Sequence, residues 1–309
     1  MEQKDIDNHT LYEIEILLRN QGSTLKKFSG MPYPSSEFVI DTSNRLIHDE
    51  LRYDRVALKS DNGNLFRSLN PEQRRVYDEI ISVVDNSRGG VFFVYGYGGT
   101  GKTFLWKTLS TAIRSKGKIV LNVASSGIAS LLLSGGRTAH SRFVIPININ
   151  EDSVCSIDVN SQLADLMRQS SLIIWDEAPM IHKHCFEALD RTLRDIMRQT
   201  LPENEDKVFG GKVVVFGGDF RQILPVVPKG SRSDIVNASL NSSYLWYHIK
   251  VLKLTVNMRL QTGCNTDEME DIKSFAEWIL DVGNGTAGGP NDGDVEITIP
   301  DEVHLPGSN

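Results

Sequence analysis

Gly96-Tyr97-Gly98-Gly99-Thr100-Gly101-Lys102-Thr103 follows the spacing G-x-x-x-x-G-K-[ST]. Glycines at these places let a backbone curl until its N–H groups point at a shared anion. A helix beginning directly after the curl adds the positive end of its dipole. Lys102 is then placed to reach the β- and γ-phosphates of ATP, and the Thr103 hydroxyl to hold Mg²⁺. A second signal lies downstream, where Leu172-Ile173-Ile174-Trp175 ends in Asp176-Glu177. An apolar strand that ends in two carboxylates presents them at the edge where parallel sheets bind ligands. Asp176 is expected to hold Mg²⁺ through water, and Glu177 to orient and deprotonate the attacking water. A third signal is Gly217-Gly218-Asp219-Phe220-Arg221-Gln222, which follows the apolar run Val213-Val214-Val215-Phe216. Gln222 at such a strand end can sense a γ-phosphate. The competing reading is a tight turn with a solvated glutamine.

These groups need elements to hold them. The pattern predicts strands at 91–95, 119–124, 171–175 and 212–216, and helices at 102–115, 127–133, 161–169 and 185–198. Asn70 and Pro71 supply a cap and a first helical residue for a helix through Val76, Ile80 and Val84. The strands are continuous apolar runs, which suits a parallel sheet covered on both faces, hence an α/β fold. Ahead of this region, Thr10-Leu11-Tyr12-Glu13 reads as a capping box, with Leu11, Ile14, Leu17 and Leu18 on one helical face up to residues 20–22. A loop with Pro32 and Pro34 follows, then a charged helix over 41–59. Residues 1–65 show no chemistry and read as a helical extension, residues 66–283 as the catalytic domain, and 284–309 as a glycine-rich linker into something further.

Composition narrows the class. The 309 residues are 40% hydrophobic and 24% charged, which suits a packed soluble core. The longest apolar runs, Val91–Tyr95 and Leu172–Trp175, fall far short of the ~20 residues of a membrane span, so no membrane association is expected. The polar start lacks a secretory signal, and Cys155, Cys185 and Cys264 are scattered, so an intracellular protein with reduced thiols is expected. His182-Lys183-His184-Cys185 has no second ligand pair at finger-like spacing, which leaves zinc without a site. The net charge of -7 argues against nucleic-acid binding by bulk charge, although not against a local track for one strand.

Several further segments stand in a fixed order with these: Leu69–Gln73 (LNPEQ), Ala124–Ser130 (ASSGIAS), Gly135–Ser141 (GGRTAHS), Asp176–Pro179 (DEAP), Gly217–Val226 (GGDFRQILPV) and Leu254–Arg259 (LTVNMR). Together they resemble the Pif (petite integration frequency) DNA helicases of superfamily one, in the RecD-like group, with wording closest to plant members related to Helitron transposons. The resemblance covers residues 69–283, and residues 17–34 resemble the segment that precedes the motor there. It implies a RecA-like ATPase domain, ATP and Mg²⁺ as cofactors, single-stranded or forked DNA as partner, and five-prime to three-prime unwinding. The processes implied are DNA repair, recombination and telomere maintenance in the nucleus. Gln73 resembles the glutamine that reads adenine, with a capping-box partner for Asn70 as the alternative. Ser125, Ser126 and Gly127 resemble a segment that grips the DNA backbone, with an ordinary helix cap as the alternative. Thr138, His140 and Ser141 resemble a further strand contact. Arg259 resembles an arginine that approaches the γ-phosphate at a domain junction. Family members carry a second RecA-like domain with an arginine finger, and neither stands before Asn309. A fragment, a truncated gene or a partner supplying the rest is therefore expected.

Overall fold

The computed structural model describes residues 3–20, 23–28, 30–35, 44–258, 266–288, 297 and 299. The helices are α1 (Gln3–Asn20), α2 (Arg45–Leu51), α3 (Arg55–Arg67), α4 (Pro71–Asp85), α5 (Lys102–Ser115), α6 (Gly127–Leu131), α7 (Ala139–Phe143), α8 (Gln162–Gln169), α9 (Lys183–Arg198), α10 (Arg232–Ala238) and α11 (Thr266–Asn284). The strands are β1 (Gly90–Tyr95), β2 (Ile119–Ala124), β3 (Arg137–Thr138), β4 (Ser170–Asp176), β5 (Val213–Gly218) and β6 (Ile249–Lys253). They form one sheet in the order β3-β2-β4-β5-β1-β6, and every pairing is parallel.

The continuous apolar runs are explained by two cores, one on each face. Phe93, Leu121, Val123, Ile173, Trp175, Val214 and Phe216 point to the face covered by α7, α8 and α9. Their neighbours Phe92, Val94, Val120, Leu172, Ile174 and Val215 point to the opposite face, against α4 and α5. Successive residues of a strand face opposite sides, so a strand covered twice is apolar on both faces, and the buried Asn122 of β2 is satisfied by the Ser110 hydroxyl and the Ser134 carbonyl. Each fully buried side chain of this size contributes roughly 1.5–3 kcal/mol. The α/β expectation therefore holds.

The amino-terminal reading needs three corrections. Thr10 does not start a helix: α1 begins at Gln3, and the Thr10 hydroxyl donates to the Ile6 carbonyl one turn back. The charged helix expected over 41–59 is two helices, α2 and α3. The chain breaks between them because Asp54 caps the second, its carboxylate accepting from the Val56 and Ala57 N–H groups at 2.9 and 3.0 Å. The boundary expected at 65 falls inside α3, which packs on α5, while α2 packs on α8 and β2. Leu46, Ile47 and Leu51 lie against one core and Phe66 against the other. Residues 44–67 are thus part of the sheet domain. The expected linker falls largely on residues outside those described.

Candidate functional site

Because all six strands run the same way, their carboxyl ends open on one edge of the sheet. The glycine loop leaves β1 there, Ser125 follows β2, Thr138 ends β3, Glu177 follows β4, and Asp219 follows β5. One topological fact thus gathers segments that lie far apart in sequence.

The glycine loop closes directly onto α5. Gly99 and Gly101 sit at φ 94° and 79°, where a Cβ is disfavoured, and a Cβ at Gly101 would also collide with Gln73 Nε2. Among the described residues, the N–H groups of Gly99, Gly101, Lys102 and Thr103 make no hydrogen bond within the protein. Free N–H groups converging at a helix start form a cradle for phosphate. Lys102 is 8% exposed, and its ammonium donates to the loop carbonyls of Gly96 and, at 3.5 Å, Tyr97. Thr103 stands exposed on the first turn.

Asp176 ends β4 and is 4% exposed, with Oδ1 buried and lacking a hydrogen-bond partner. The Trp106 indole N–H is buried nearby and also unpartnered: it favours the charged carboxylate without reaching hydrogen-bond geometry. Burial pushes the Asp176 carboxyl above the usual carboxylate range, outweighing Trp106 and Lys102. A buried oxygen with no partner is a suitable donor to a hard cation, so the residues fit Mg²⁺ held by Asp176 and Thr103. Gly217 lies against this pair. A Cβ there would collide with the Trp106 ring and lie 3.0 Å from Asp176 Oδ1.

Glu177 has φ 51° and ψ 41°, a left-handed conformation that costs a non-glycine residue about 1–2 kcal/mol. Such strain persists where the surroundings over-determine it, often at functional sites. Burial, then the neighbouring Asp176, raises the Glu177 carboxyl, while Lys102 opposes. A raised carboxyl is better matched to accepting a proton near neutral pH.

The remaining nucleotide-side residues divide. Gln73 is 1% exposed and sealed: Oε1 accepts from Asn70 N at 3.1 Å, and Nε2 donates to the Thr100 carbonyl at 3.1 Å. It is the capping-box partner of Asn70 and at the same time a prop for the glycine loop. Gln222 is exposed and lines a cavity of about 420 Å³ with Tyr97, Gly98, Arg221 and residues Ala276 and Leu280 of α11. Arg259 lies outside the described residues. Its neighbour Met258 donates from N–H to the Gly99 carbonyl at 2.8 Å.

Sequence reasoning missed how residues 254–258 strap the glycine loop. The Tyr97 hydroxyl donates to the Thr255 carbonyl at 2.5 Å, and Glu72 accepts from Thr255 N and Oγ1 at 2.7 and 2.6 Å. The one available signal was that LNPEQ and LTVNMR flank the loop motif in the resemblance. Trp106, which reads as an ordinary apolar helix position, gave no signal.

The expected strand contacts follow β2 and β3. Ser125 sits beside the carboxylate strand: its N–H donates to the Asp176 carbonyl at 3.1 Å, and its hydroxyl accepts from the Trp175 indole at 3.0 Å. The Ser126 hydroxyl caps α6 at Ala129 N, and Gly127 is exposed with open space about it. The Thr138 hydroxyl caps α7 at Ser141 N, and Ser141 is exposed. His140 is half-buried, and burial lowers its pKa below the ordinary imidazole value. The helix-cap alternative thus describes Ser126 as it stands, and the structure adds a capping role for Thr138 that the sequence reading did not include. Among the described residues no three His, Cys, Asp or Glu side chains form a metal cluster, and no helix is long and apolar enough to cross a membrane.

A parallel sheet with a glycine loop, a helix and an acidic strand end at its carboxyl edge defines a RecA-like P-loop nucleoside-triphosphatase fold. A family model described as PIF1-like helicase matches residues 68–293, and the chain belongs to that family. It is 29% identical over 185 residues to the ATP-dependent DNA helicase PIF4 of Trypanosoma brucei brucei, covering 57% of this chain and 21% of that one. It is 30% identical over 198 residues to the ATP-dependent DNA helicase Pif1 of a Psychrobacter species, covering 63% of this chain and 28% of that one. Among solved structures, Pif1 helicase from Bacteroides in complex with ADP-AlF3 and ssDNA shares 25% identity at a TM-score of 0.53, over 68% of this chain and 46% of that one. The chain thus spans less than half the length of these relatives.

Proposed function

We propose that this chain is the nucleotide-binding motor domain of an ATP-dependent DNA helicase. The observation that carries the reading is the meeting, at one sheet edge, of free loop N–H groups, buried Lys102, Asp176 with its unpartnered Oδ1, and strained Glu177. When bound, ATP with Mg²⁺ supplies the phosphoanhydride to be cleaved and the charge that neutralises it. The residues from Gly96 to Thr103 cradle the phosphates, and Lys102 leaves its loop carbonyls to pair with the β- and γ-oxygens. Thr103 and Asp176 would hold the cation. Glu177 would take a proton from the water whose oxygen bonds to the γ-phosphorus as the bond to the departing ADP oxygen breaks, its raised carboxyl being suited to the task. Gln222, facing the cavity beside the loop, senses the γ-phosphate, and Arg259 follows the segment bonded to Gly99. Gln73 reads adenine only if it exchanges one of its present bonds.

On the strand side, Ser125, Ser126, Gly127, Thr138, His140 and Ser141 line successive strand ends. Small hydroxyls and N–H groups there suit backbone phosphates of single-stranded or forked DNA. The relatives support DNA as the substrate. Five-prime to three-prime polarity, nuclear residence and roles in repair, recombination and telomere maintenance belong to the same proposal through family resemblance. Walking also needs two domains that close on nucleotide, so we assign the second RecA-like domain to sequence outside these 309 residues. The test is ATP hydrolysis with and without single-stranded DNA. Stimulation by DNA is expected. Hydrolysis indifferent to DNA would identify a P-loop ATPase of another kind.

A further inference from the structure

Glu50 lies on α2, before the start of the family match, yet it sits 8% exposed inside the motor. Its two oxygens reach two different helices. Oε1 accepts from Arg142 of α7 at 2.7 Å, and Oε2 lies 3.5 Å from Arg114 at the end of α5. Both arginines are buried, at 5% and 3% exposure. Arg114 has other acceptors, the Ser134 carbonyl and hydroxyl and the Val120 carbonyl, and Tyr53 stacks on it at 4.2 Å. Arg142 has none: among the described residues Glu50 is the acceptor it uses, and its Nε is already unpartnered. The Tyr53 hydroxyl completes the joint by lying against Gly135, at the start of the GGRTAHS segment.

The two helices joined this way are unlike in role. α5 begins with Lys102 and Thr103, whereas α7 carries His140 and Ser141 behind its Thr138 cap. A five-residue helix cannot hold its orientation by its own hydrogen bonds, because nucleation costs more than one turn returns. Three buried side chains hold α7 in place: Ala139 in the core, the Phe143 ring against Trp175 at 5.7 Å, and Arg142 through its pair with Glu50. Removing one partner of a buried ion pair leaves an uncompensated charge that the structure relieves by moving it toward water.

We infer that Glu50 is a positioning residue for strand binding: it ties α7, and with it Thr138, His140 and Ser141, to the end of the phosphate-binding helix. The inference rests on the DNA-contact reading of those three residues. It gives the segment 44–67, in which no chemistry was legible, a part in the motor.

The test uses Glu50→Gln and Arg142→Met in the 309-residue chain. Glu50→Gln keeps the shape and removes the charge. Arg142→Met frees α7 while leaving Glu50 beside Arg114, so it stands in should the first variant fail to fold. Amide exchange read by mass spectrometry over 134–144 should accelerate about tenfold in either variant, the loss expected for one charged hydrogen bond. Exchange over the glycine loop, 96–103, should not change. Affinity for a labelled oligothymidylate should fall about tenfold, with affinity for a fluorescent ATP analogue within about twofold of the parent. The double variant should be no worse than the single ones, since both break the same joint. Unchanged exchange over 134–144 overturns the inference, and so does loosening of 134–144 and the glycine loop to the same degree, which marks a merely structural role. If the parent itself binds no oligothymidylate, the DNA-contact reading fails, and the exchange measurement still decides whether Glu50 orients α7.

Discussion

Asp176→Asn should make the nucleotide-free protein more stable while removing its Mg²⁺-dependent chemistry. Asp176 is 4% exposed, and its Oδ1 has no hydrogen-bond partner. The nearest compensating charge, Lys102, is engaged with loop carbonyls. Leaving a buried polar group unsatisfied costs about 1–3 kcal/mol, more when it is charged. An amide of the same shape is still polar, so the net gain expected at pH 8 is about 1–2 kcal/mol. At about 2–4 °C per kcal/mol for a domain of this size, Tm should rise by about 2–8 °C. The pH dependence follows from burial. Asp176 is raised above its ordinary 3.8, so between the unfolded and folded values the native state binds more protons. Stability from this group is present below the ordinary value and is lost as pH rises through the folded one. The advantage of Asn over Asp should therefore grow from pH 4, near the ordinary Asp value, to pH 8. Urea unfolding at both values, without nucleotide, measures it. Saturating MgATP should invert the order: at a hundredfold excess over Kd the parent gains about 2.7 kcal/mol, and the variant less. A variant less stable than the parent at pH 8, or a gap that is the same at pH 4 and pH 8, would refute the reasoning.

The other predictions concern the same site. Lys102→Ala should lower hydrolysis by at least about a hundredfold, because a positioned charge on the transferring phosphoryl group is lost. Equal nucleotide affinity and turnover in variant and parent would count against the cradle. Glu177→Gln should bind ATP as the parent does but not turn it over, and in the parent the acid limb of kcat should lie above the ordinary Glu value of 4.5, because burial and Asp176 raise this carboxyl and only its ionised form accepts a proton. A limb at or below the ordinary value would remove Glu177 as the base. Gly101→Ala should destabilise by about 1–2 kcal/mol from its left-handed backbone alone, with further displacement of Gln73; calorimetry with the parent Tm would show that the loop tolerates a Cβ. The chain by itself should bind single-stranded DNA weakly, with affinity falling as salt rises, and should displace almost no strand from a tailed duplex. Robust strand displacement at concentrations too low for dimers would refute the proposal that a second RecA-like domain is required.

The sequence alone determined the parts whose information is local. β1, the glycine loop and α5 are contiguous, and α5 occupies the expected 102–115 because the loop glycines and the apolar spacing act over a few residues. Asp176 and Glu177 were legible for the same reason, since an apolar run that stops at two carboxylates announces a strand end. The amino-terminal helices were less legible, because their charged faces carry a weak period and because the change of pattern at Asn70-Pro71 placed a boundary that falls inside α3.

Tertiary structure decided what joins these parts. Glu72 meets Thr255 across 183 residues, Asn122 lies in the core beside Ser110, and Glu50 meets Arg142 across 92 residues. Neither Trp106 beside Asp176 nor the sealing of Gln73 follows from either residue's neighbours in the chain. A hydrogen bond or ion pair depends on a distance of about 3 Å, and such distances between remote residues are fixed only when the sheet order places α5 next to one strand end and α7 next to another. The sequence names the chemical groups, and the packing of the two faces of the sheet determines which of them meet.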